Sequence, residues 1–564
     1  MTVPARLLLI FVFWGITTAP VQSAGFAPEK AAHGMVVTAD AYATEAGLEI
    51  LQQGGNAVDA AVAVGFTLAV TYPNAGNIGG GGFMMIGTAD GRVRALDYRE
   101  TAPGAATRDM YLDESGRVIK NASVYGLLAC GVPGTVAGMW QAHQKFGKLP
   151  WKNVLAPAIR LAEKGFPLDE YKTELFNAFR DSLSHFPSSK KIFFPQNRDY
   201  KPGDIFRQPQ LAQTLRRIAQ QGGSEFYFGK TAQMIDRFMK ANGGLITLND
   251  LKNYRAKWRQ PIHFTYRGYD VYSMPPPSSG GVLLAEILNT LENFNLCRMG
   301  VNSSSFMRLW VETERQVYAD RAYFLGHPDF VRMPITRLTS KNYAQKIKNS
   351  LHLLYPAVSD SIHPGLAYGK EKEETTHFSI VDQWGNAVSN TFTLNGNFGS
   401  FVVVEGAGFL LNNEMDDFSV KPGIPNIYGL IGGKANEIQP GKRMLSSMTP
   451  TLIFKNKRLF MAIGSPGGSK IITTVAQVIS HVIDHGMNIR QAIEMPRFHH
   501  QWRPDTVFVE QNRFNEDTIH ILQAAGYRIV QKKYMGYAQG ILMDQNGMRT
   551  GWSDPRSNGV AKGY

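Results

Sequence analysis

Cysteine is nearly absent from this chain: Cys130 and Cys297 are the only two in 564 residues. That excludes a disulfide scaffold and leaves either one bridge or two unpaired buried thiols. Acidic charge is also in deficit. Lys and Arg number 59 against 46 Asp and Glu, for a net charge of +13 and a pI near 9.4. Such a surplus marks nucleic-acid binding when it is clustered. Here it is scattered, and the tightest group is only Lys455-Asn456-Lys457-Arg458. No zinc-finger or RNA-binding signature accompanies it, so no nucleic-acid partner is expected. The surplus is read instead as solubility with a weak pull on anionic surfaces. Internal repeats and true linkers are missing as well.

Long apolar runs are confined to the amino terminus. Arg6 precedes an apolar stretch over residues 7–16, and Val21-Gln22-Ser23 offers small residues for cleavage. Residues 1–24 therefore read as a secretory signal, with an uncleaved anchor as the alternative. The stretch falls short of the roughly 20 residues needed to span a bilayer. The mature chain is expected to be exported, periplasmic or secreted, with no stable membrane span.

What is present is the composition of a globular protein, 44% hydrophobic and 19% charged, with enough length for a large core. Helical spacing covers residues 38–51, 58–68, 136–146, 151–164, 208–220 and 305–324. The charges of the last stretch, Glu312, Glu314, Arg315, Asp320 and Arg321, suggest a packed helix with local ion pairs. Residues 94–99 and 264–274 read as strands, and 184–204 as a polar loop. The run Gly79-Gly80-Gly81-Gly82 leads into an apolar strand and carries no lysine. It therefore signals close backbone packing, not nucleotide binding. His499-His500 lack a helical metal spacing, so no zinc site is assigned. Leu411 to Phe418 holds three carboxylates without calcium-loop spacing. Residues 421–442 form a long polar loop of the kind that serves as a lid or an insertion. Gly464-Ser465-Pro466-Gly467-Gly468-Ser469 is a turn between a strand and a helix starting near Lys470, and its amides can form an oxyanion hole.

The organising stretch is 375–395, TTHFSIVDQWGNAVSNTFTLN. Two β-rich runs flank Asp382-Gln383-Trp384-Gly385-Asn386, and Gly385 suits the left-handed last position of a three-residue loop. That register sets Thr375 opposite Thr393 and His377 opposite Thr391, with opposed β-carbons about 5 Å apart on one face. Asn395 follows on the same face. A plain exposed hairpin with threonine pairs is the competing interpretation.

Taken together, TTHFSIVD, LLNNEMDDFS, KPGIPNIYGLIGG, LSSMTPT, GSPGGSKIITT, PRFHHQW and SDPRSNG resemble the γ-glutamyltransferases (γ-glutamyltranspeptidases, glutathione hydrolases). GGNAVDAA, NIGGGGFMMI, LDYRETAP and ACGVPGTVAG extend the likeness through the first half. The resemblance implies an α+β fold, the four-layer αββα sandwich of the N-terminal nucleophile hydrolases. It also implies self-cleavage between Glu374 and Thr375, giving a large subunit 25–374 and a small catalytic subunit 375–564 in one globular unit.

By the same resemblance, Thr375 is the nucleophile and its freed α-amino group the base. Thr393 orients the hydroxyl, and the Gly467 and Gly468 amides hold the oxyanion. Arg99 binds the α-carboxylate of the γ-glutamyl group with Ser446 and Ser447. Asn395, Glu414 and Asp417 hold its α-ammonium. Tyr428 lies in what resembles a lid loop, found in members that act on glutathione. No cofactor or metal is implied. The partners implied are a small γ-glutamyl substrate and amino acid or peptide acceptors. The alternatives are a glutaryl-type β-lactam acylase of the same fold, which would lack part of the acidic group, and a non-catalytic exported binding protein, which would lack Thr375, Thr393 or Arg99.

Overall fold

The computed structural model describes residues 27–362 and 375–564. The expected signal 1–24 and Glu374 of the expected cleavage site lie outside the described residues. Two antiparallel seven-stranded sheets stack face to face. In one, the central hairpin Thr376–Val381 and Ala387–Thr393 is flanked by Met35–Thr38 and Val560–Gly563 on one side. On the other side lie Gly81–Gly87, Val93–Tyr98 and Lys257–Arg259. The second sheet runs Glu29–Ala31, Arg549–Ser553, Gln539–Met543, Arg458–Gly464, Thr451–Lys455, Tyr269–Ser273, Ile262–Tyr266. The chain thus returns from its last 30 residues to complete both sheets around the central hairpin.

Side-chain alternation sorts the first sheet into two cores. Val36, Met84, Ile86, Leu96, Phe378, Ile380 and Val388 pack outward on helices that include Ala57–Thr71 and Trp151–Lys164. Met35, Val37, Phe83, Met85 and Ala95 face the second sheet. That sheet is covered in turn by Gly280–Leu291, Ser304–Phe324 and Ile471–Ile483. Helix, sheet, sheet, helix is the expected four-layer order. Helix Ala57–Thr71 is buried at every position, so it has no polar face, and its start is set by an Asn56–Asp59 capping box.

The hairpin register is the one expected. His377 pairs with Thr391 and Thr376 with Phe392. The Asp382 amide donates to the Asn386 carbonyl at 3.0 Å, and Gly385 sits at φ +90°. Two expected elements take another form. Residues 264–274 are not one strand but a hairpin, because Arg267 (φ +50°) and Gly268 (φ +79°) make a tight turn between Ile262–Tyr266 and Tyr269–Ser273. The stretch 184–204 is not simply a loop, for Pro187 opens a helix, Pro187–Phe193, whose Phe193 packs on Phe176, Phe206 and Phe398. Both cysteines are free, but the expectation of buried thiols holds for Cys130 alone, since Cys297 is exposed. Among the described residues no helix is long and apolar enough to cross a membrane.

Candidate active site

The seam between the two sheets is polar along the central hairpin. His377 Nδ1 meets Thr391 Oγ1 at 2.8 Å, and its Nε2 meets Ser379 Oγ at 3.1 Å. Ser379 and Ser389 donate across to the carbonyls of Gln539 and Ile463, each at 3.0 Å. Burial pushes the His377 pKa down to about 3, so the ring is neutral. Thr375 and Thr393 continue this same inward-facing series to the end of the sheet. Gly80 packs so closely there that a β-carbon would stand 2.0 Å from the Thr393 carbonyl oxygen. The glycine run therefore fixes the hairpin's end by close packing, as its sequence suggests.

From the facing sheet, strand Arg458–Gly464 ends at the same place. Its turn through Gly467 (φ +133°) and Gly468 (φ +54°) demands glycine, and a β-carbon on Gly468 would meet the Tyr428 ring at 2.4 Å. Helix Ile471–Ile483 then starts with its amino end toward the cavity, adding a partial positive charge. A small cavity of about 20 Å³ closes between these parts. It is lined by Arg99, Thr375, Thr393, Asn395, Asp417, Tyr428, Ser446, Ser447 and Gly468, with apolar walls from Leu430, Met448 and Ile471. Nine of the residues singled out in the sequence thus converge from six separate segments.

Arg99, at the end of strand Val93–Tyr98, is 1% exposed. Its Nη1 lies 2.5 Å from Glu414 Oε2, its Nη2 contacts Asp417, and Glu100 is 3.9 Å away. Burial opposes its charge, but these carboxylates outweigh that and raise its pKa. Burial raises the carboxylates in turn: Glu414 well above the usual range, Asp417 also upward, and Glu100 to about 8. Glu414 stands behind Arg99 and Gly467 behind Gly468, so neither lines the cavity. Glu414 touches the guanidinium without a well-aligned hydrogen bond, and among the described residues its oxygens have no hydrogen-bond partner.

The 421–442 loop folds over the cavity and is tied to the acidic segment beneath it. Asn426 Nδ2 donates to Asp417 Oδ1 at 2.8 Å, and the Ile427 amide donates to Asp416 Oδ2 at 2.9 Å. The Tyr428 hydroxyl donates to the Asn395 carbonyl at 2.5 Å, and Gln501 Nε2 donates to the Tyr428 carbonyl at 3.1 Å. Sequence reading missed Glu100, Asn426 and Arg321 at this site. Local ion pairing on the 304–324 helix holds only for Glu312 and Arg315. Glu314 instead accepts from the His500 amide at 2.8 Å, while Arg321 turns toward the cavity floor. No sequence period distinguishes these fates.

A model of the γ-glutamyltranspeptidase family matches residues 43–564. The chain belongs to the γ-glutamyltranspeptidase family. It is 47% identical to the glutathione hydrolase proenzyme of Escherichia coli over 546 residues, covering 96% of this chain and 94% of that one. The corresponding proenzyme of Pseudomonas aeruginosa is 45% identical, with 97% of each chain covered. Among solved structures, the cephalosporin acylase from Bacillus halodurans superposes with a TM-score of 0.85 at 28% identity, covering 98% of this chain and 99% of that one. Such scaffold sharing accords with the four-layer architecture of this γ-glutamyltranspeptidase family member.

Proposed function

We propose that this γ-glutamyltranspeptidase family member cleaves the γ-glutamyl amide bond of glutathione and related compounds, passing the γ-glutamyl group to water or to the amine of an amino acid or peptide. The observation that carries this proposal is a single cavity lined by Thr375, Thr393, the Gly468 turn, Arg99 and Asp417. The chain is made as a precursor that cuts itself between Glu374 and Thr375. Subunits 25–374 and 375–564 then stay together, because strands from both interleave in each sheet. Export directed by residues 1–24 would place the enzyme in the periplasm or outside the cell.

Cleavage frees the Thr375 α-amino group, whose ordinary pKa of about 8 suits proton transfer near neutrality. That amine takes the hydroxyl proton as Thr375 Oγ attacks the γ-carbonyl carbon, and Thr393 orients the nucleophile. The oxyanion develops against the Gly467 and Gly468 amides and the helix amino end behind them. As the C–N bond breaks, the ammonium returns its proton to the leaving amine. A γ-glutamyl ester remains on Thr375, and water or an acceptor amine reverses the sequence to release it.

The cavity holds about one water, so its lining must rearrange to admit a γ-glutamyl group. Arg99 must also exchange partners. The substrate carboxylate would take Arg99, Ser446 and Ser447, while the substrate ammonium would take Asp417, Glu414 and Asn395. A glutaryl-type acylase needs no such acidic group, and the presence of Asp417 in the cavity wall favours an α-amino substrate.

A denaturing gel of the wild type beside Thr375→Ala, with amino-terminal sequencing, tests this directly. Two wild-type fragments are expected, one beginning Thr375-Thr376-His377, against a single uncut variant. The wild type should release glutamate from glutathione, and the variant's rate should fall by about 10⁴-fold or more. An uncut wild-type chain with no γ-glutamyl release would defeat the proposal.

A further inference from the structure

Helix Ser304–Phe324 carries in its last turn a buried cation that the chemistry above leaves unused. Arg321 is 5% exposed. Its Nε donates to Ser279 Oγ at 3.0 Å, and its Nη2 donates to Ser447 Oγ at 3.4 Å. Ser279 holds the Ser446 carbonyl twice, from its amide and from its hydroxyl, each at 2.8 Å. One guanidinium thus braces both serines of the cavity wall.

Its charge is the odd feature. Arg99 has three carboxylates around it, whereas no carboxylate among the described residues is in ion-pair contact with Arg321. Burial lowers its pKa to about 10, with Asp417 the chief opposing influence and Arg99 adding to the fall. A cation held out of water without a contacting counter-ion is costly unless an anion completes it. Ser447 stands between this charge and the cavity. A serine hydroxyl has one proton and two acceptor positions. With Arg321 donating into its oxygen, that proton is directed away from Arg321, and polarisation through the oxygen strengthens what it donates.

We propose that Arg321 is a positioning residue for the substrate's α-carboxylate, aiming the Ser447 hydroxyl proton at that group and supplying a second positive charge beneath it. This rests on the assignment of Ser446 and Ser447 to the α-carboxylate under Proposed function. A plain structural clamp, by contrast, would hold the serine loop without favouring any charge on the substrate.

The test uses purified, processed enzyme with γ-glutamyl-p-nitroanilide and with 4-aminobutyryl-p-nitroanilide, which lacks only the α-carboxylate. Arg321→Met should raise KM for the first substrate by about 10- to 50-fold, leave kcat within about threefold, and leave the second substrate unchanged. Arg321→Lys should restore most of the lost discrimination. Equal losses on both substrates, or a fall in kcat alone, would overturn the proposal in favour of a clamp.

Should Arg321→Met fail to mature, Arg321→Lys decides the matter in combination with Ser447→Ala. Lysine cannot hold Ser279 and Ser447 together, so KM should rise about threefold in the wild-type background and not in Ser447→Ala. The same rise in both backgrounds would overturn the proposal. If the wild type itself failed to discriminate between the two substrates, the carboxylate assignment would fall, and the Arg321 proposal with it. That result differs from wild-type discrimination insensitive to Arg321, which rejects the Arg321 role alone.

Discussion

Two clusters of buried charge in this protein are built on opposite plans. Near the carboxyl terminus, Arg497 and Arg556 face Asp554 and Glu510, two cations against two anions. Arg497 Nη2 meets Asp554 Oδ2 at 2.5 Å, and Arg556 holds Glu510 at 2.6 and 2.5 Å. Backbone amides of Met535 and Ala538 bond the same carboxylates, and spare guanidinium protons go to carbonyls. Burial alone would raise Asp554, yet the two arginines outweigh it and hold its pKa below the usual range. This cluster is complete.

At the cavity, one Arg99 faces Glu100, Glu414 and Asp417, and burial wins, raising all three carboxylates. The oxygens of Glu100 and Glu414 lack hydrogen-bond partners among the described residues. This cluster holds more carboxyl groups than its one cation keeps ionised, the imbalance that the proposed α-ammonium would relieve. The comparison separates a buried cluster whose charges are matched from one left unmatched, as the proposed ligand site requires.

The sharpest way to break that contrast is to remove one arginine from each cluster. Arg556→Met strands Asp554 and Glu510 and should cost about 3–5 kcal/mol in urea denaturation. Arg99→Met should cost markedly less stability, because its carboxylates already lean toward the protonated form. It should instead raise KM for a γ-glutamyl substrate by about two orders of magnitude. Equal stability losses in the two variants would erase the distinction.

Carboxylates test it more gently. Asp554→Asn should destabilise by about 2 kcal/mol, since two arginines lose their partner. Glu100→Gln should leave the melting temperature unchanged or raise it, since it removes a buried carboxyl whose ionisation burial opposes. A lower melting temperature for Glu100→Gln than for Asp554→Asn would show that Glu100 is as structural as Asp554.

The smallest effect is in the pH dependence. Glu100 has a folded pKa of about 8 against an ordinary value near 4.5. Between those values the folded chain holds a proton that the unfolded chain releases, so this group's contribution to stability falls as pH rises. Asp554 has the opposite sign: its contribution is present above the ordinary aspartate range and is lost as pH falls through the lowered folded value. Melting temperatures measured from about pH 5 to 8 should therefore decline less steeply in Glu100→Gln than in the wild type. An unchanged slope would mean that Glu100 is ionised throughout.

Much of the site is legible in the sequence, and the reason is local chemistry. The 375–395 hairpin announces its register through strand alternation and a left-handed Gly385, and both hold. Helix Trp151–Lys164 matches its periodicity to the residue, ending at Gly165. Ambiguous local signals mislead. The apolar content of 264–274 hides a turn at Arg267-Gly268, and the polarity of 184–204 hides a helix held by distant aromatic rings.

The sequence by itself determined the hairpin, the glycine turn, the acidic segment and the family they belong to, because alternation, turn chemistry and motif order are properties of neighbouring residues. Only the tertiary structure decided that the ends of two different sheets meet around Thr375. It also decided that Glu414 stands behind Arg99 and that Arg321 reaches Ser447. Those outcomes depend on which faces pack across the sandwich, and packing partners far apart in the chain leave no period for a sequence to show.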